Sequence, residues 1–286
     1  MNSPQPSRDK YSAVWVSHSS MGDFIRCPRA YYLRNVYKDP KTKNKIGIVN
    51  GALSLGTAVH NTLEAIKDMP LEERMHEDLL RNFEVEWEKV TGKKGGFKDA
   101  EEEITAKERG LEMIKRVVTT PGPIAKKTVR LAAGKNGMPP NFLLSEEHNI
   151  ILCGLIDWLE YVPEDDSVVV IDFKTGKNDE SDDSLQLPIY LLLLSALQKR
   201  KVSGAAYWYL DREDGYVEKS LPSTEEAKAK VLAVALKVKG AREKKEFDCP
   251  RGSEGCFTCK PLEMILRGEA ESLGVGGYGQ DIYFLP

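Results

Sequence analysis

Gly154-Leu155-Ile156-Asp157 and, shortly after it, Ile171-Asp172-Phe173-Lys174-Thr175-Gly176 decide how this chain is read. The first stretch lies in Asn149–Tyr161 and the second closes Ser167–Phe173, an apolar β-branched run; both read as strands, separated by the polar turn Glu164-Asp165-Asp166. A connection this short makes an antiparallel hairpin, which brings Asp157 and Asp172 side by side. Side chains two apart on a strand share a face, so Asp172 and Lys174 point one way while Phe173 enters the other layer. Two carboxylates and an ammonium at one spot suit a hard divalent cation and an attacking water. The plainer reading is a surface hairpin with ordinary charges. Against it stands Val168-Val169-Val170-Ile171, a run that reads as buried on both faces. Charges at the end of such a strand are costly unless something pairs with them.

Two helical pairs stand near these strands in the sequence. His60 and Glu64 are spaced i,i+4 and share a face of a helix expected over Leu53–Lys67. A lone histidine on a helix is more often a satisfied core or surface group than a ligand. Glu64 is a candidate for orienting the imidazole. Gln186 and Tyr190 lie one turn apart; taken alone, Gln186 faces water and Tyr190 packs in the core. Pro188 is tolerable only in a first turn, which starts this helix near Leu185.

Cysteine usage is the second strong signal. Of five cysteines, four form a pattern: Cys27-Pro28 early, then Cys249-Pro250, Cys256 and Cys259 spaced C-x6-C-x2-C. No signal-peptide pattern or bilayer-length apolar run is present, so a cytoplasmic location is expected, with no membrane partner and no disulfides. Four thiolates in a reducing compartment point to a metal centre, and zinc or a cubane iron–sulfur cluster is chemically suitable. Zinc sites usually use two close pairs, whereas here one ligand lies far upstream of three. Such a centre would close a ring around most of the chain and act structurally. Cys153 reads as a small buried hydrophobe without a function.

In their order these motifs resemble the PD-(D/E)xK nuclease superfamily, in particular its RecB-like branch with a four-cysteine cluster, which includes the AddB nuclease domain and CRISPR-associated RecB-like exonucleases. The matching residues are Gly56-Thr57-Ala58-Val59-His60, then Gly154 to Asp157, then Asp172-Phe173-Lys174, then Gln186-Leu187-Pro188-Ile189-Tyr190, within a span from about Ser17 to Cys259. The resemblance implies an α/β fold: a restriction-endonuclease-like core, with a central mixed sheet flanked by helices, a helical arch, and a cysteine-ligated cluster joining the N- and C-terminal parts. It implies His60, Asp157, Asp172 and the backbone carbonyl of Phe173 as ligands of one or two Mg²⁺ or Mn²⁺ ions. Asp157, Asp172, Lys174, Gln186 and Tyr190 become the catalytic set, the last two flanking Lys174 and the nucleic-acid backbone. Cys27, Cys249, Cys256 and Cys259 become ligands of a [4Fe–4S] cluster, with zinc as the alternative. The expected activity is metal-dependent hydrolysis of DNA, single-stranded or end-directed exonuclease action in repair, recombination or CRISPR adaptation. The alternatives are a catalytically silent DNA-binding scaffold and a subunit with a protein partner in a larger DNA-processing complex. No Walker A pattern is present, so no motor is expected.

Composition sets the remaining bounds. The chain has 286 residues, 41% hydrophobic and 30% charged, with a formal net charge of −3. It is no polycation, so any DNA-binding surface must come from local clusters. Candidates are Lys41, Lys43 and Lys45; Lys93 and Lys94; Lys126, Lys127 and Arg130; and Lys199, Arg200 and Lys201. Residues 1–16 read as a flexible arm, 17–270 as one nuclease domain and 271–286 as a mobile Gly-rich tail ending in an apolar hook, Ile282-Tyr283-Phe284-Leu285. Within the domain, helices are expected over about 53–120, with one continuous helix at Leu71–Val90, and the catalytic sheet over about 127–221. The cluster loop spans 249–259. A capping box at Ser20–Asp23 opens a short helix ending at Cys27, strands are expected at Lys127–Leu131 and Phe142–Glu146, and Val202–Leu210 with Tyr216–Leu221 form a second hairpin.

Overall fold

The computed structural model describes residues 12–131, 138–212 and 214–286. Strand β1 (Val14–Val16) leads into α1 (His18–Arg26) and α2 (Pro28–Tyr31), then through a turn at Tyr32–Val36 to β2 (Ile46–Ile48). A helical block follows: α3 (Gly51–Glu64), α4 (Leu71–Arg74), α5 (Leu79–Glu88) and α6 (Ala100–Thr119). Next come β3 (Asn141–Ser145), β4 (Ile150–Cys153), β5 (Trp158–Val162), β6 (Ser167–Lys174) and α7 (Gln186–Leu197). After these come β7 (Lys201–Tyr209), β8 (Val217–Lys219), α8 (Thr224–Lys244), α9 (Lys260–Leu266), β9 (Glu271–Val275) and β10 (Asp281–Phe284).

The β-branched run of β6 becomes the centre of the fold because it can be buried on both sides. It pairs antiparallel with β5 and parallel with β7, in a mixed sheet of order β5-β6-β7-β8. Alternate side chains divide between two cores. Val168 and Val170 pack with α7 and α8, whereas Ile171 and Phe173 join Trp158, Trp208 and the helical block. Helix α7 is the crossover between β6 and β7 and is buried from Gln186 to Leu194, as its all-round apolar sequence requires. Its Pro188 lies in the first turn, as expected. Two further three-stranded sheets have the orders β1-β4-β3 and β2-β10-β9. Mixed sheets between helices match the restriction-endonuclease-like architecture, and four cysteines draw the N- and C-terminal parts together.

The structure corrects several expectations. The single strand Asn149–Tyr161 is broken at Gly154–Asp157, so β4 pairs in the small sheet with β1 and β3 while β5 enters the central one. At the break the backbone passes close to α7: a Cβ on Gly154 would lie 3.0 Å from Leu193 Cδ1. The helix Leu71–Val90 is two, because Asp78 caps α5 by accepting the Arg81 N–H at 3.0 Å. The capping box is Ser17 with Ser20, so α1 begins at His18. The strand expected at Lys127–Leu131 is one bridge, Thr128 to Glu160. Residues 1–11 of the expected arm lie outside the described residues, but Val14–Val16 pair in parallel with Ile150–Leu152.

The segment expected to be a mobile tail is built into a sheet. Strands β9 and β10 form a hairpin, and β10 adds in parallel to β2, so the apolar hook docks on its own chain. The buried Asp281 fixes this junction: its carboxylate accepts from Thr42 Oγ1 and, at 2.9 Å, from Asn44 Nδ2. Removing this acceptor breaks both hydrogen bonds and leaves a gap at the junction. Asp281→Ala is expected to cost about 2–3 kcal/mol, read as a lower urea midpoint at unchanged slope. An unmoved midpoint would show that the hairpin contributes nothing to stability.

Candidate active site and four-cysteine centre

The β5–β6 register places the acids. Trp158 lies opposite Ile171, so the next position outward sets Asp157 across from Asp172. Asp172 and Lys174 fall on the α7 face, where the first turn of α7 meets them. Lys174 Nζ is 2.9 Å from Asp172 Oδ2 and donates to Gln186 Oε1 at 2.5 Å. Gln186 Nε2 and the Tyr190 hydroxyl both donate to Asp172 Oδ1, at 2.6 and 2.7 Å, and Gln186 Nε2 also reaches Tyr190 at 3.1 Å. Gln186 therefore does not face water; it and Tyr190 are buried and clamp Asp172 and Lys174.

His60 arrives from the opposite side of the sheet. Helix α3 packs with Phe173, whose ring centroid is 6.1 Å from the imidazole, and presents His60 at the strand ends. His60 Nδ1 is 3.5 Å from Asp157 Oδ2, which also accepts the Phe173 N–H at 2.9 Å. Ligand atoms of His60, Glu64 and Asp157 lie within 4.8 Å of one another. A nitrogen and two carboxylates so close form a donor set that a divalent cation fits. Glu64 thus stands in the converging group itself, a placement that the i,i+4 spacing alone did not distinguish from a supporting role.

Electrostatics follow from burying this much charge. Burial opposes an imidazolium at His60, yet the Asp157 hydrogen bond and the charges of Asp157, Asp172 and Glu64 outweigh it and raise its pKa to about 9. The site therefore attracts positive charge. Asp172 is pushed up to about 7 by burial and by Asp157, with Lys174 and Tyr190 opposing. Burial works against the Lys174 ammonium, but Asp172 and Glu180 hold it above its ordinary value.

Several site residues were not legible as such. Glu180 Oε2 is 3.2 Å from Lys174 Nζ, and Tyr207 places its ring centroid 4.9 Å from the same ammonium. His18, at the start of α1, lies 3.4 Å from Ser184 Oγ, and burial lowers its pKa. Glu180 sits in Asp179-Glu180-Ser181-Asp182-Asp183, which reads as an ordinary solvated acidic loop. Arg109 on α6 donates to Thr175 O at 2.7 Å and to Asp211, tying down the turn after Lys174.

The four expected cysteines meet at a second place. The sulfurs of Cys27, Cys249, Cys256 and Cys259 lie within 4.8 Å of one another, all buried. Backbone N–H groups of Arg251 and Cys256 point at Cys249 Sγ and Cys259 Sγ, at 3.4 and 3.2 Å. Gly255 permits the approach: its φ is +75°, and a Cβ there would lie 3.0 Å from Cys259 Sγ. Burial pushes the Cys27 thiol up to about 12. Burial also resists a thiolate at Cys256, yet hydrogen bonds bring it down to about 6. Four converging thiols with N–H groups aimed at sulfur suit a thiolate-bound metal centre. Cys153 stands apart, its thiol 3.5 Å from Val16 O.

Among the described residues, no helix is long and apolar enough to cross a membrane. The converging donors generate a direct test. Asp157→Asn is expected to abolish Mn²⁺ binding measured by calorimetry, and Glu64→Gln to weaken it more than tenfold. Wild-type affinity in Glu64→Gln would remove Glu64 from the donor set.

Residues 15–262 match a family model described as the PD-(D/E)XK nuclease superfamily. No curated protein matches the sequence. The match runs from β1 into α9 and takes in the strand pair, the helix bearing His60 and all four converging cysteines. The chain belongs to the PD-(D/E)XK nuclease superfamily.

Proposed function

We propose that this chain is a divalent-metal-dependent nuclease that hydrolyses DNA phosphodiester bonds, single-stranded or at free ends, and that it belongs to the RecB-like branch carrying a [4Fe–4S] cluster. The observation that carries the reading is the convergence of Asp157, Asp172 and Lys174 with His60 and Glu64 at one end of β5 and β6. An exonuclease working in repair, recombination or CRISPR adaptation fits this assignment, as the resemblance of the motifs implies.

His60, Glu64 and Asp157 would hold Mg²⁺ or Mn²⁺, with Asp172 and the Phe173 carbonyl at the adjoining edge. Such an ion supplies Lewis acidity, polarising the scissile phosphate and lowering the pKa of a bound water. Asp172 accepts three hydrogen bonds, two on Oδ1 and one on Oδ2. A carboxylate offers about four lone-pair sites, so one on Oδ2 remains for an ion.

The residues then divide the chemistry. Lys174 positions the attacking water and stabilises charge growing on the phosphoryl oxygens. The water oxygen bonds to phosphorus as the bond to the leaving ester oxygen breaks; a water proton is released and the leaving oxygen gains one. Gln186 and Tyr190 hold Asp172 and Lys174 in place. Glu180 shares the Lys174 ammonium, so an incoming phosphate competes with it there.

For the cysteine centre, the one-plus-three spacing supports a cubane cluster over zinc, while the buried convergence of the four sulfurs suits either. It would tie the end of α1 to the loop after α8, a structural role.

Two outcomes test the reading. Digestion of end-labelled single- and double-stranded DNA with Mn²⁺ is expected to proceed for wild type and to fall at least a thousandfold in Lys174→Ala and Asp172→Ala, with the visible absorbance of the cluster retained. A variant cutting at the wild-type rate refutes the site. Cys256→Ser is expected to lose the broad visible absorbance and to lower Tm by several degrees. A colourless wild type containing one zinc would replace the cluster with zinc.

A further inference from the structure

A cavity of about 720 Å³ lies between the turn Tyr32–Val36, the C-terminal end of α8 and the segment leading to the cysteine loop. One wall is aromatic: the rings of Tyr32 and Phe247 lie 5.0 Å apart, tilted by 32°, with Tyr31 6.2 Å beyond Phe247. The other wall is cationic, with Arg242 and Lys245 lining it. Arg29 also lines the cavity but is committed to Glu263 at 3.0 Å. Among the described residues, the Arg242 guanidinium hydrogen-bonds to the Tyr31 hydroxyl alone, at 3.3 Å.

Lys45 and Lys38 extend the same field. Burial and the nearby charges of Arg242 and Lys38 push the Lys45 ammonium below its ordinary value. Among the described residues, no carboxylate forms an ion pair with Arg242, Lys245, Lys45 or Lys38, and Asp248 is the acid at the cavity rim apart from the paired Glu263. This contrasts with other basic clusters, where Lys93 pairs with Glu271, Lys126 with Glu160, and Arg200 with Asp166. A basic residue in the last turn of a helix offsets the helix dipole, which accounts for Arg242. It does not account for Lys45, which lies within the field of Arg242 and Lys38 although it comes from another segment.

The backbone is unusual there as well. Tyr37 N–H bonds to Tyr32 O at 2.8 Å, one residue wider than an α-helical bond. Such wide turns are frequent at functional sites.

We infer that this cavity binds a nucleotide of a single-stranded nucleic acid, its base against Tyr32 and Phe247 and its phosphates against Arg242 and Lys245, with Lys45 beyond the rim drawing the adjoining phosphate. Aromatic faces beside unpaired cations are what a strand without fixed sequence needs. The inference rests on the nuclease reading and adds a contact remote from the bond that is cut. Helix α1, nine residues and therefore about 13 Å long, runs from His18 at the active-site edge toward Cys27, two residues before Arg29.

The test uses the full chain and fluorescein-labelled dT20 in EDTA, followed by anisotropy. Lys45→Gln combined with Lys245→Asn removes two cations, and asparagine tolerates the left-handed backbone of Lys245, whose φ is 59°. The double variant is expected to bind about tenfold more weakly with unchanged Tm. The slope of log affinity against log salt should fall by about 1.4, at roughly 0.7 per phosphate contact. With Mn²⁺ its KM for dT20 should rise at constant kcat, and 5-iodouracil in the strand should crosslink to the wild-type chain at Tyr32 or Phe247. Equal affinity and slope in both proteins, no binding of dT20 by wild type, or crosslinks confined to other segments would each overturn the inference; capture of an acidic peptide in place of dT20 would do so as well. Absence of cleavage by a wild type that still binds through the cavity would instead refute the nuclease reading.

Discussion

The alignment of β5 on β6 is the constraint from which the active site follows. With Trp158 opposite Ile171, the two acids come face to face at the open end of the pair. Slipping the register by one residue would turn Asp172 and Lys174 away from Gln186 and Tyr190 and toward the apolar cluster of Trp158, Trp208 and Phe83. Both faces of β6 are buried, so the hydrophobic pattern fixes the register strongly. Packing, not the charges themselves, determines where the chemistry can occur.

The charges that result are expensive, and α7 offsets that cost. Asp172 is 3% exposed, yet three side-chain donors reach it. Among the apolar residues of α7, Gln186 and Tyr190 stand one turn apart and supply two of those donors. A fully satisfied network of this kind is stiff. It holds Lys174 at the exposed edge with little freedom to lose when a phosphate arrives. Helix α3 contributes from the other side of the sheet, so His60 and Glu64 meet Asp157 only because both faces end at the same place.

The two metal-suited centres are joined through α1. His18 at its first residue lies beside the loop that carries Glu180 and Ser184, and Cys27 caps its last turn. Loss of order at the cysteines would therefore be felt at the active-site loop through one short helix. The C-terminal hairpin reinforces the same region, since β10 adds to β2, which precedes α3 and His60. Sequence-distant ends thus brace the segments that carry the chemistry.

Much of this was legible in the residues, and the limits have physical causes. The period-two alternation around Asp172-Phe173-Lys174 determined which side chains share a face, because a strand leaves no other choice. The order of motifs and the cysteine spacing determined the superfamily and a four-sulfur group, because those chemistries need particular residue types. Local signals failed where long-range pairing decides. Gly274 to Gly279 read as mobile, yet Gly274 and Val275 pair with β10, whose other edge is held by β2. Asn149–Tyr161 read as one strand until α7 forced the backbone to turn at Gly154. Glu180 looked like a solvated loop acid, and Lys45 like one lysine among many. Part of the surroundings of each comes from a distant segment, His18 for Glu180 and Arg242 for Lys45. The sequence by itself determined which groups could do chemistry and which face of a strand they occupy. Only the tertiary structure decided which of them meet, because a contact between distant segments depends on how whole cores pack and leaves no periodic trace in either segment.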